Sequence, residues 1–134
     1  MIKLIVGKKG TGKTKMLIDL ANRAAETSEG NVVCIEKGTK LTFDINHTVR
    51  LVNSSDFALD SYEELYGLIS GMIAANYDVT DIFVDSINKI LGYMDNAQFE
   101  KFLDKIRLIV DPNNIKLTIT VSADESELSD AIKT

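Results

Sequence analysis

Gly7-Lys8-Lys9-Gly10-Thr11-Gly12-Lys13-Thr14 is the stretch from which the rest of the chain is read. It meets the pattern G-x-x-x-x-G-K-[ST] at every fixed position. An apolar run, Ile2 to Val6, leads into it, and a helical pattern follows in which Met16, Leu17, Leu20, Ala21, Ala24 and Ala25 share roughly one face. A strand, a glycine turn and a helix start aim several backbone N–H groups at one point with little side chain in the way. Such a nest, at the positive end of a helix, suits anionic phosphate oxygens. The competing reading is a glycine-rich turn with a solvated Lys13, and the two flanks favour phosphate binding.

Outward from this loop, strands and helices alternate. Ile2 to Val6 is short and continuously apolar, as expected of a parallel strand covered on both faces. A helix is expected over Lys13 to Glu26, with Gly30 turning the chain into a second strand, Asn31 to Glu36. Lys37 to Asn46 has no clear period, and Gly38 and the polar residues favour a loop over a brief extended segment at Thr42 to Ile45, before a third strand at Thr48 to Val52. Ser61-x-x-Glu64 has the form of a capping box ahead of a helix ending near Asn76, in which Gly67 and Gly71 are expected to allow close packing. Asp81 to Asp85 is the fourth strand, and Ser86 to Met94 has room for a short helix. Asp95-x-x-Gln98 starts a further helix whose apolar face carries Phe99, Phe102, Leu103, Ile106 and Ile109. Pro112, the single proline, breaks it. Lys116 to Val121 is the fifth strand, and Asp124-x-x-Glu127 heads a terminal helix through about Ile132.

This alternation predicts one domain over residues 1–134, a three-layer α/β/α fold with a mostly parallel sheet of about five strands and helices on both faces. Ligands of such sheets bind at the carboxyl ends of the strands. The tips there carry the loop, Glu36, Asp85 and Ser122.

Composition narrows the functional classes. The net charge of −5 argues against a broad nucleic-acid surface. No run approaches the ~18 apolar residues of a membrane span. The N-terminal apolar run is too short for a signal peptide. Cys34 is the single cysteine, so no internal disulfide forms, and the expected location is the cytoplasm. His47, the single histidine, has no second His or Cys near it in sequence to make a metal site. Asn88-Lys89-Ile90-Leu91 lacks the aspartate of a guanine reader, which favours adenine.

In its loop and flanks the chain resembles the P-loop NTPases. The resemblance implies a nucleotide held by Gly7, Lys8, Lys9, Gly10, Thr11, Gly12, Lys13 and Thr14, although Lys8 and Lys9 fill variable positions and also read as solvated. It implies that Lys13 reaches the β- and γ-phosphates, that Thr14 offers its hydroxyl to Mg²⁺, and that Asp85 holds the same ion as a Walker B aspartate does. Asp81-Ile82-Phe83-Val84-Asp85-Ser86 resembles the RecA-like ATPases, in which an aspartate is commonly followed by serine. In that group the catalytic glutamate ends the strand after the loop helix, and Glu36 ends that strand here. The catalytic pair implied is therefore Lys13 and Glu36.

Departures temper the activity expected. Gly92 to Ile115 holds a helix rather than a long basic loop, so recombinase activity is not expected. Ser122 alone occupies the place of a polar amide sensor, and none of Arg23, Arg50 and Arg107 is assignable as an arginine finger. The function expected is Mg²⁺-dependent ATP binding with slow or partner-dependent hydrolysis, in a homo-oligomer or with a partner protein. The alternatives are a nucleotide-binding regulatory module without turnover and a small nucleoside or nucleotide kinase.

Overall fold

Alternation along the strands decides which helix covers which face of the sheet. The computed structural model describes residues 1–128. Its elements are β1 (Ile2–Gly7), α1 (Lys13–Thr27), β2 (Asn31–Glu36), β3 (Arg50–Asn53), α2 (Tyr62–Ala75), β4 (Val79–Val84), α3 (Ile87–Leu91), α4 (Asn96–Val110) and β5 (Lys116–Ser122). Every strand pairs in parallel, in the order β1-β5-β4-β2-β3. On one face Val32, Cys34 and Phe83 pack with Leu17, Ala21 and Ala24 of α1. On the other, Val33, Ile35, Ile82, Val84, Leu117 and Ile119 pack with α2, α3 and α4. Burial on both faces explains why the strand sequences are continuous apolar runs.

Tyr62 of α2 joins Phe99 and Phe102 of α4, with ring centroids 5.9 Å from each. Both helices have the starts read from sequence. The Ser61 hydroxyl accepts the Glu64 N–H at 3.1 Å, and Asp95 accepts the Gln98 N–H at 3.0 Å. Loss of either cap costs about 1 kcal/mol.

The loop expected over Lys37 to Asn46 is present: the N–H of Ile45 returns to the Leu41 carbonyl at 3.0 Å, and Leu41, Ile45 and Val49 turn inward onto the α1 face. Three local expectations are corrected. The third strand begins at Arg50 because Asn46 Oδ1 accepts both the N–H and the hydroxyl of Thr48, holding that residue in a turn. β4 begins at Val79, which pairs with Asn31. Gly67 and Gly71 do not serve close packing, since both are exposed and a Cβ on either would meet open space. Glu125–Glu127 is a 3₁₀ turn, and the rest of the expected terminal helix lies outside the described residues. No helix among the described residues is long and apolar enough to cross a membrane.

Candidate functional site

The loop between β1 and α1 is shaped by its glycines. Gly10 and Gly12 have φ of +84° and +85°, a left-handed backbone that costs other residues about 1–2 kcal/mol each. At Gly7 the fit is close, since a Cβ there would stand 2.6 Å from Thr11 Oγ1 and turn that hydroxyl away from its place in the loop. Two donors then fold the loop onto one carbonyl. The Thr11 hydroxyl donates to Lys8 O at 2.7 Å, and Lys13 Nζ donates to the same oxygen at 2.8 Å. Lys13 is buried, an expensive position for an ammonium, and here it lies under the loop that its helix follows. The first turn of α1 has no acidic side chain, so the field at this helix start favours an anion.

Asp85 follows β4 directly and joins three segments. Its N–H donates to Ile35 O at 2.9 Å, which keeps it in line with the end of β2. Its carboxylate accepts from Thr14 Oγ1 at 3.2 and 3.3 Å and from Thr120 Oγ1 at 2.9 Å. Asp85 is 7% exposed and Thr120 is fully buried. Ser86 then takes a left-handed conformation, φ 57°, unusual for a residue with a Cβ. Its N–H donates to Thr120 Oγ1 at 2.6 Å. One hydroxyl thus fixes both the carboxylate and the strained residue beside it.

Glu36 also reaches this place. It is buried, and Oε2 accepts the Leu41 N–H at 3.0 Å. Burial, and after it the neighbouring Asp85 charge, pushes its carboxyl above the ordinary range, against the opposing pull of the Leu41 N–H. The carboxyl is therefore not a solvated strand-end acid, and among the described residues it makes no ion pair within 4.0 Å. It ties down the loop after β2. Cys34, in the same strand, has its thiol pushed far up, first by burial and then by Asp85 and Glu36, which leaves it a core residue.

Two residues of this cluster escaped the sequence reading. Thr120 sits among apolar neighbours in Lys116–Ser122, and its one signal was a polar side chain in an otherwise buried strand. Asn88 enters the sequence reading only as the start of an incomplete guanine reader. Its side-chain amide clasps the end of β5 instead, accepting the Ser122 N–H at 2.8 Å and donating to Ser122 O at 3.1 Å. Lys8 pairs with Asp124 at 3.3 Å, linking the glycine loop to the residues after β5.

Other expected candidates lie elsewhere. Asp81 and Arg23 line a cavity of about 530 Å³ at the amino ends of the strands, together with Lys3 and Lys116. Arg50 opens β3 at its amino end, and Arg107 pairs with Asp104 on α4. His47 is exposed in the loop before β3.

No family model and no curated protein matches the chain. Among solved structures it is similar to the flagellar accessory protein FlaH from Methanocaldococcus jannaschii, with a TM-score of 0.63 and 15% identity. The fold is RecA-like. The match covers 98% of this chain and 64% of the FlaH chain, so the core is shared and FlaH extends beyond it. At this identity the likeness concerns the fold.

Proposed function

We propose that the chain is an ATP-binding domain that hydrolyses ATP with Mg²⁺, slowly unless a partner subunit completes the site. The observation that carries this reading is the contact between the Thr14 hydroxyl and the Asp85 carboxylate. It joins the glycine loop, which offers phosphate contacts, to a buried acid on another strand. The nest of N–H groups and the Lys13 ammonium would bind the phosphate chain, with Lys13 exchanging its hold on Lys8 O for phosphate oxygens.

The donor set fits Mg²⁺. A hydroxyl and a carboxylate are hard oxygen ligands. No group of three or more His, Cys, Asp and Glu among the described residues could hold a metal alone. Mg²⁺ ordinarily takes one or two protein oxygens beside phosphate and water. When bound, it would neutralise charge on the phosphates. Thr120 orients Asp85 for that ligation, and Glu36 stands beside it as the candidate base for water. A carboxyl raised toward neutrality is better suited to take a proton than an ordinary one.

The same geometry supports a second reading, nucleotide binding without turnover. Glu36 is engaged by the Leu41 N–H and would have to give up or share that bond to act on water. Glu36→Gln separates the two. If Glu36 is the base, the variant retains ATP and loses phosphate release. Hydrolysis by the variant at the wild-type rate would remove Glu36 from the mechanism. No release from the wild type at any protein concentration would leave the binding module.

A further inference from the structure

We propose that two copies of the chain join along β1, antiparallel across a two-fold axis, so that their two sheets become one. The inference rests on the fold and stands apart from the nucleotide reading.

β1 is an edge strand. It pairs with β5 on one side and, among the described residues, with no strand on the other. The ladder shows which way its main chain points. Leu117 N–H donates to Met1 O at 2.9 Å and Ala123 N–H to Gly7 O at 3.0 Å, with the register unbroken between them. The odd-numbered residues therefore turn their main-chain groups to β5, and Ile2, Leu4 and Val6 turn theirs to the open edge. The side chains of those three are only half-buried, while Leu117, Ile119 and Val121 beside them on β5 are fully buried. The same residues thus present both unpaired N–H and C=O groups and uncovered apolar surface.

Folded proteins ordinarily blunt such an edge by shortness, a proline, a bulge or charge. β3, at the other edge, has four residues and opens on the exposed Arg50. β1 has six, with no proline and no register shift, and Lys3 is its one charge. A neighbour extends the apolar patch. The Met1 ammonium pairs with Asp111 at 2.8 Å, so that side of α4 borders β1. Leu108, one turn earlier on the same side, is 77% exposed.

The strand is complementary to itself, which selects a second copy as the occupant. With Leu4 on the axis, Ile2 faces Val6 of the second copy and Leu4 faces its own counterpart. Each is a pair that exchanges two N–H···O bonds, and all these side chains fall on one face, where each strand covers the other. Lys3 faces Ile5 of the second copy on the opposite face, so no like charges are opposed. Centring on Lys3 would oppose two lysines. A shift that pairs even with odd residues would leave the outward groups unbonded.

Sedimentation equilibrium and amide hydrogen exchange on the nucleotide-free chain test the proposal. The expected dissociation constant is about 10–100 μM, as for a small interface. In the dilute chain the amides of Ile2, Leu4 and Val6 should exchange fast, while those of Lys3 and Ile5, bonded to β5, exchange slowly. In the concentrated chain the first three should slow several-fold, so that the alternation fades. Ile2→Lys, which sets a lysine opposite Val6 of the second copy, should weaken the dimer about tenfold, with thermal melting to check its fold. A chain that stays monomeric into the millimolar range overturns the proposal. So does a dimer whose three outward amides still exchange fast, or a folded Ile2→Lys variant that dimerises undiminished. Slow exchange of those amides at every concentration would mean that the chain's own residues cover the edge, and overturns it as well.

Discussion

The two ends of the sheet differ in what they bury. At the carboxyl ends, Lys13, Glu36, Ser54, Asp85 and Thr120 are all buried polar or charged side chains, and Thr118 is the one other such residue among those described. At the amino ends of the same strands, Lys3, Asn31, Arg50 and Lys116 are exposed. Lys3 and Lys116 line a cavity of about 530 Å³ there, together with Arg23 and Asp81. The amino ends show what the fold alone asks for, which is charge left in water. Removing charge from water is costly unless it is paired or bonded. A fold that does so at one end only, around a glycine loop, supports that end as the proposed site.

The largest expected difference between the ends is in ligand affinity. Lys13→Ala should weaken Mg-ATP binding about 100-fold, roughly 3 kcal/mol, as loss of charged hydrogen bonds to phosphate implies. Lys3→Ala, at the other end, should change it less than about twofold, and calorimetry on the pair would read the contrast. Next comes the metal. Asp85→Asn should lower the apparent Mg²⁺ affinity of the ATP complex by about 10- to 100-fold, within the range for perturbed metal ligation. Asp81→Asn should leave it unchanged, and nucleotide titrations over a Mg²⁺ series would show equal curves if the comparison is wrong.

Stability supplies a smaller contrast. Thr120→Val leaves the Ser86 N–H without its acceptor and removes a donor from Asp85. The expected loss is about 1–3 kcal/mol in chemical denaturation. Thr118→Val, two residues earlier on the same strand, removes a hydroxyl with no side-chain hydrogen bond among those described. It should be nearly neutral, and equal losses would show that Thr120 is no more than a strand residue.

The smallest effect concerns Glu36 and depends on pH. Because burial raises its carboxyl pKa, the folded chain holds that proton more tightly than the unfolded one. The resulting stabilisation is full below the ordinary value of about 4.5 and is lost as pH rises through the raised folded pKa. Glu36→Gln keeps an oxygen for the Leu41 N–H but has no charge to bury. Its melting temperature relative to wild type should therefore be higher at pH 7 than at pH 4. A difference independent of pH would mean that the carboxyl is not raised.

Periodicity and motif made the elements legible wherever the signal was local. The loop, the apolar runs and the caps at Ser61 and Asp95 all correspond to structure. The misses have a common cause. The sequence pattern places Thr48 in a strand, but Asn46 captures its N–H, a competition that propensity does not count. Thr120 and Asn88 acquire their roles from residues more than thirty positions away. A lone polar residue in an apolar strand cannot reveal its partner until the sheet order brings β5 beside β4.

The central claim is that nucleotide sits at the carboxyl ends of the strands. Amide chemical shifts followed during titration of the isotopically labelled chain with Mg-ATP test it most directly. The expected result is saturable movement at Gly10, Gly12, Lys13, Thr14 and Ser86, with Lys3, Thr80, Asp81 and Lys116 unmoved. Saturable shifts at the amino-end residues with a silent loop, or no shifts at millimolar Mg-ATP, would contradict it.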